Sequence, residues 1–363
     1  MTSAAQIIGR FMEQAGTEHP RFLRPSSSNI SIGSSKWRAA DTELDTVYSY
    51  GRHFPLAQLM PNAETGDKRG WWLLNGDRYS VTTSQHQSET QRQAKKSGLP
   101  YMIVPESAIN RAGIKTETIR PVEILPDRYT WEQRTRKDAP SDYELRHAGE
   151  SDYYGRNWHH LDTGEWAYET PVHHLGEAVF EAKYSYYHRE PAYTDLTTMQ
   201  RVHPEGEYIE GSAYFLSGYD ANEPGFGLYF LAQLREDLKP QTVAEAFEAL
   251  KPLDVQYAER HQHLAVLRQG DVFAIPDTVS TRDLPGPSKR SEYVLGVNHQ
   301  ATEVRTDGMG NTYARGTLRH SPREWGRQPE HRRLKLGDGK TWYQLVRNTV
   351  PDGRSWAIGG KVD

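Results

Sequence analysis

Cysteine is absent from all 363 residues, which removes disulfides, thiol nucleophiles and cysteine-ligated zinc or iron–sulfur centres. No apolar run approaches the roughly 18 residues that a membrane-spanning helix needs. The opening residues, MTSAAQIIGRFMEQAG, lack a basic region followed by a sustained apolar one, so no secretory leader is read there. These absences give the expectation of a cytoplasmic chain with no membrane partner. Dinucleotide, Walker, nucleophile-elbow, zinc-protease and kinase signatures are missing too, and nothing indicates a cofactor or a resident metal. The glycine-rich run GYDANEPGFG lacks the lysine and helix start of a phosphate cradle. Internal repeats and heptads are likewise not found.

Aromatics make up 11% of the chain, and their buried area argues for packed domains despite a mean hydropathy of -0.81. The length suits two or three domains. A net charge of -4 conceals a bipolar chain. Residues 141–250 carry 7 Lys and Arg against 20 Asp and Glu, whereas residues 281–363 carry 15 against 9. Such a chain either self-associates through its acidic and basic regions or offers the basic end to a polyanion.

The expected fold class is α+β, with a small N-terminal α+β unit, an antiparallel aromatic-rich sheet in the middle and a C-terminal antiparallel β meander. Four segments follow: a helix and lead-in over 1–40, a hairpin–helix domain over 41–140, an acidic Tyr/Trp-rich sheet plus helix over 141–252, and a basic β domain over 253–363. Ile7, Ile8, Phe11, Met12 and Ala15 share one face of the first helix, which Gly16 stops. Pro20 to Ser35 reads as loop, and Val47 to Met60 as one strand with Pro55 favouring an edge. Asn75-Gly76, between Trp71–Leu74 and Arg78–Val81, predicts a tight hairpin. Ser84 and Gln87 then predict a capping box opening a helix that ends at Gly98. Thr242 and Glu245 predict a second capped helix, closed by Pro252.

Fifteen histidines supply the candidate acid–base chemistry. If the turn after TEV centres on Met309-Gly310, paired residues sum to about 619, and His299 faces His320 across two strands. That pair is the candidate catalytic site, against the plainer reading of two hydrogen-bonded structural histidines. His261 and His263 would share one strand face ahead of a Gly-Asp turn, a faint cupin-like arrangement without its glutamate. The doublets His159-His160 and His173-His174 point to alternate faces, and His86 is expected in the exposed first turn of its helix. Arg315, Arg319, Arg332, Arg333 and Lys335, with Trp342 among them, are the candidate nucleic-acid contacts, arginines gripping phosphates and an aromatic stacking on bases. The competing reading is a solvated basic face that pairs with the acidic middle.

YSYGRHFPLA followed by WWLLNGDRYSVTTSQHQ resembles a pattern of uncharacterised proteins of phages and other mobile elements, in which an aromatic-rich strand precedes YSxTTSxHQ. TYARGTLRH with PEHRRLKLGDGKTWYQLVRNTVP looks like a second such block. The resemblance spans about a third of the chain and implies a bacterial or phage context; no functional residue is carried over from it. The leading expectation is a nucleic-acid-associated binding protein. The alternatives are an enzyme acting on a nucleotide or phosphorylated substrate through His299 and His320, and an assembly protein.

Overall fold

Trp71-Trp72-Leu73-Leu74 is a continuous apolar run, and a strand of this kind needs cover on both faces. In the computed structural model it has both. The structure describes residues 3–18, 29–35, 44–51, 54–77, 79–136, 151–152, 155–159, 166–188, 193–194, 197, 199–202, 204–220, 228–235, 237–277, 289–295, 299–321, 333–349 and 355–357. Strands β1 (Ile30–Ser35), β2 (Leu44–Ser49), β3 (Pro55–Met60), β4 (Trp71–Asn75) and β5 (Tyr101–Val104) form one sheet in chain order. Helices α1 (Ala4–Gln14) and α2 (Val81–Ser97) cover one face, where Ile7, Phe11, Trp72, Leu74 and Ile103 form one core cluster. Burying each aliphatic or phenyl side chain of this kind is worth about 1.5–3 kcal/mol.

The other face of β4 and β5, with Trp71, Leu73, Met102 and Val104, meets Phe180, Phe215 and Leu231 of a second sheet. That sheet runs β23–β15–β14–β11–β6, from β6 (Arg120–Ile124), β11 (Ala178–His188), β14 (Glu207–Asp220), β15 (Leu228–Gln233) and β23 (Ser355–Ala357). Helix α3 (Glu106–Ala112) packs into the same cluster. On the far side, Val179 and Leu216 receive Val243 and Ala246 of α4 (Val243–Ala249). The layers are therefore helices, sheet, sheet, helix. This core crosses residue 140, because β6 pairs with β11. The middle also holds β7 (Arg128–Arg136), β8 (Ser151–Asp152), β9 (Gly155–His159) and β10 (Trp166–His174) in a four-stranded antiparallel sheet, and a ribbon of β12 (Tyr193–Thr194) and β13 (Arg201–Val202).

The last sheet comprises β16 (Leu267–Gln269), β17 (Val272–Pro276), β18 (Lys289–Val294), β19 (His299–Thr306), β20 (Thr312–His320), β21 (Leu334–Leu336) and β22 (Tyr343–Arg347). Its order is β16–β17–β22–β20–β19–β18, with β21 added beside β20. Helix α5 (Leu253–Arg260) packs Val255 and Ala258 on Phe273 and Ile275 of β17. The α+β class and the strand-rich C-terminal region agree with the sequence reading.

Four local expectations are corrected. Asn75-Gly76 makes no hairpin: β4 pairs with β5 in parallel, and α2 is the crossover between them. Neither residue adopts positive φ. Asn75 instead accepts the Asp77 and Glu106 amides on Oδ1 and donates Nδ2 to the Pro55 carbonyl. Gly76 is required by packing, since a Cβ there would stand 2.8 Å from Cβ of Tyr229. The helix starts four residues earlier than expected, with Ser80 in place of Ser84 as N-cap, accepting from the Thr83 amide. Gln87 donates to the Asn75 and Asp77 carbonyls. Val47 to Met60 is two antiparallel strands, and Pro55, as first residue of β3, sits inside the sheet at no ladder cost. Ile30–Ser35, read as loop, is the edge strand β1.

Candidate nucleic-acid interface

The hairpin of β19 and β20 is built around Asp307. Its carboxylate accepts the Met309 and Asn311 amides and the Asn311 side chain, at 2.8–2.9 Å, and these bonds hold its pKa below the ordinary value. Near this turn paired residues sum to 618, as in Val304 opposite Ala314; beyond it His299 faces His320 and Ala301 faces Leu318. A bulge makes the difference, two residues (Gly316 and Thr317) standing against Thr302. Gly316 takes φ +88°, and a Cβ there would press on Thr302 at 2.9 Å.

Toward β17 the outward face is covered by α5 on Phe273 and Ile275, and along β19, β20 and β21 the two faces differ in character. Inward lie Val272, Ala274, Ala301, Val304, Leu318 and Leu345. Outward, Arg315 Nε bonds Glu303 at 2.7 Å, and Arg319 donates Nε and Nη2 to Gln300 Oε1 at 3.1 and 2.6 Å. Lys335 pairs with Thr317, so it shares the outward face with Arg315 and Arg319, and it is exposed. Arg333 is exposed just before β21, whereas Arg332 lies outside the described residues. Trp342 is only 2% exposed, roofed by the guanidinium groups of Arg315 at 4.8 Å and Arg305 at 5.3 Å from its ring centre. It braces the arginines rather than offering a free ring. Arg305, Tyr293 and Tyr313 escaped the sequence reading; they face outward with these groups, as partners of Tyr313, Gln300 and Arg305 respectively. The strand register carried that information.

His299 and His320 do meet, with ring centres 5.1 Å apart and planes at 73°. Both are buried, at 2% and 7% exposure, on the inward face. Asp271 stands 3.8 Å from Nδ1 of His299, and its other oxygen is 3.4 Å from Nε of Arg347. The pair and the outward arginines are thus on opposite sides of the same two strands. Among the described residues no three His, Asp or Glu side chains are grouped to hold a metal.

The remaining histidines fall out differently from expectation. His261 caps the end of α5 and His263 has φ +53°, both exposed and neither on a strand, so they do not share a strand face. The side chains of His159, His160 and His173 lie outside the described residues; His174 Nδ1 bonds Glu177 at 2.9 Å, and Glu177 also pairs with Arg128. His86 is not exposed. It sits in the second turn of α2 at 9% exposure, and its Nδ1 lies 2.8 Å from Oγ of the wholly buried Ser49. Desolvation lowers its pKa from 6.5. No family model, curated protein or solved structure matches the chain.

Proposed function

We propose that the protein binds single-stranded nucleic acid across the outward face of β19, β20 and β21. The observation that supports this most is the gathering of Arg305, Arg315, Arg319 and Lys335 on one open sheet face, with Tyr293 and Tyr313 beside them. Glu303 pairs with Arg315, and Arg305, Arg319 and Lys335 add three further positive charges to the same face. Cations at strand spacing track a phosphate backbone, and tyrosines between them offer stacking area without sequence preference. The acidic middle of the chain repels the same polyanion and confines it to this end. The phage-like sequence block and a cytoplasmic location accord with such a ligand; among the described residues no helix is long and apolar enough to cross a membrane. We assign His299 and His320 to the core of this domain rather than to the interface.

Fluorescence anisotropy with labelled single- and double-stranded oligonucleotides across a salt series tests the reading. Four phosphate contacts predict a log–log slope of about -3 for a single strand. Arg319→Glu combined with Lys335→Glu should remove most of the affinity and flatten that slope. Absence of binding at low salt, or a slope near zero, would refute the assignment.

A further inference from the structure

The carboxyl ends of β2, β4 and β5 lie along one edge of the N-terminal sheet, because β2 and β4 each oppose β3 and β4 runs parallel to β5. Helix α2 begins here, and Ser49, the last residue of β2, meets His86 through the 2.8 Å bond to Nδ1. That bond fixes the ring's orientation. Nε2 makes no hydrogen bond to any described residue. Burial without a charged partner favours the neutral ring, so Nε2 offers one neutral hydrogen bond, as donor or acceptor according to the tautomer.

The backbone beside this pair is unusual. Tyr50 has φ +54°, a conformation that side-chain-bearing residues seldom hold and that concentrates at functional sites. It brings the Tyr50 ring to 6.1 Å from the imidazole while leaving the tyrosine 40% exposed. Tyr79, in the run leading into α2, has its ring centre 5.3 Å from that of Phe54, the residue before β3, and is 46% exposed. The Ser49 amide donates to the Phe54 carbonyl. An exposed tyrosine next to a desolvated imidazole suits a planar ring, which stacks on the first and hydrogen-bonds the second.

We propose that His86, oriented by Ser49, is the polar contact of a second ligand site, which takes a nucleobase stacked on Tyr50 and hydrogen-bonded to Nε2. Ser49, Tyr50, Tyr79 and His86 carry no positive charge among them, and the base is the part of a nucleotide that these four side chains would contact. A free nucleoside and one base of a bound strand present the same ring.

Full-length protein labelled at histidine with ¹³C, titrated with adenosine, uridine, inorganic phosphate and a short single-stranded oligonucleotide, tests the site by NMR. A saturable shift of the His86 ring signals with a nucleoside is expected; if only the oligonucleotide produces it, the base belongs to a strand. Tyr50→Ala should weaken binding about 5- to 150-fold without altering the His86 tautomer. Ser49→Ala should weaken binding and change the tautomer population as well. No saturable shift with nucleoside or oligonucleotide, or a shift reproduced by phosphate alone, overturns the proposal. Arg319→Glu with Lys335→Glu should leave the adenosine shifts unchanged, so failure of the arginine face and failure of this site are read separately.

Discussion

Asp77 is 4% exposed, and its carboxylate accepts both the amide and the hydroxyl of Ser107 at 2.8 and 2.6 Å. It caps α3 from a distant loop, since the N-cap position itself is Pro105 with no side-chain bond to give. Asp77→Ala should cost about 1–3 kcal/mol, seen as a lower denaturant midpoint at unchanged slope. Burial raises its pKa above 3.8, although the Ser107 bonds and Arg111 pull it down. The folded chain therefore holds this proton to higher pH than the unfolded one. Its contribution is fully present below pH 3.8 and is lost as pH rises through the folded value. Asp77→Asn should flatten that stretch of the pH–stability curve; an unaltered slope there would contradict the burial argument. His86 has the opposite sign. Its pKa is lowered, so its contribution is present above 6.5 and lost as pH falls through the folded value. Neither role was legible beforehand, because both depend on partners some thirty residues away, Ser107 for Asp77 and Ser49 for His86.

At the scale of elements, α2 separates what local pattern reveals from what it conceals. The C-terminal end was plain, as Gly98 takes φ +72° and closes the helix. The start is not plain, because two serines, Ser80 and Ser84, each ahead of a threonine- or glutamine-bearing turn, compete as caps. Ser80 wins since β4 is covered on both faces and must hand over directly to a crossover helix. The unbroken apolar run of β4 was the available sign of double burial, and it outweighs the Asn-Gly pair. Ser80→Ala should therefore cost about 0.5–2 kcal/mol, whereas Ser84→Ala should stay within about 0.5 kcal/mol. Equal losses, measured by chemical denaturation, would mean that the cap is shared. In the C-terminal hairpin His299 does face His320, as counting about Met309-Gly310 predicts, but the turn itself pairs residues summing to 618 and the bulge supplies the missing one. The bulge at Gly316 was not foreseen; one glycine among polar residues does not announce positive φ.

For the whole molecule, charge and topology part company. The acidic and basic regions are separate in sequence, yet the chain's end returns to the acidic half: β23 adds to β15 through Phe230–Ala357, Leu231–Trp356 and Ala232–Ser355. Thr349 leads this return, its amide donating to the Leu250 carbonyl and its hydroxyl to the Ala249 carbonyl at the end of α4. Composition cannot reveal such a closure, because a three-residue strand has no periodicity to detect. Without β23, β15 becomes an edge strand, and edge amides exchange by local opening at a fraction of the global cost. Removing residues 350–363 should then accelerate hydrogen exchange along β15 while leaving β19 and β20 protected as before, since the core of the C-terminal sheet is complete at β22. Accelerated exchange in β19 and β20 instead would show that the two regions fold as one cooperative unit, with the last strand holding them together.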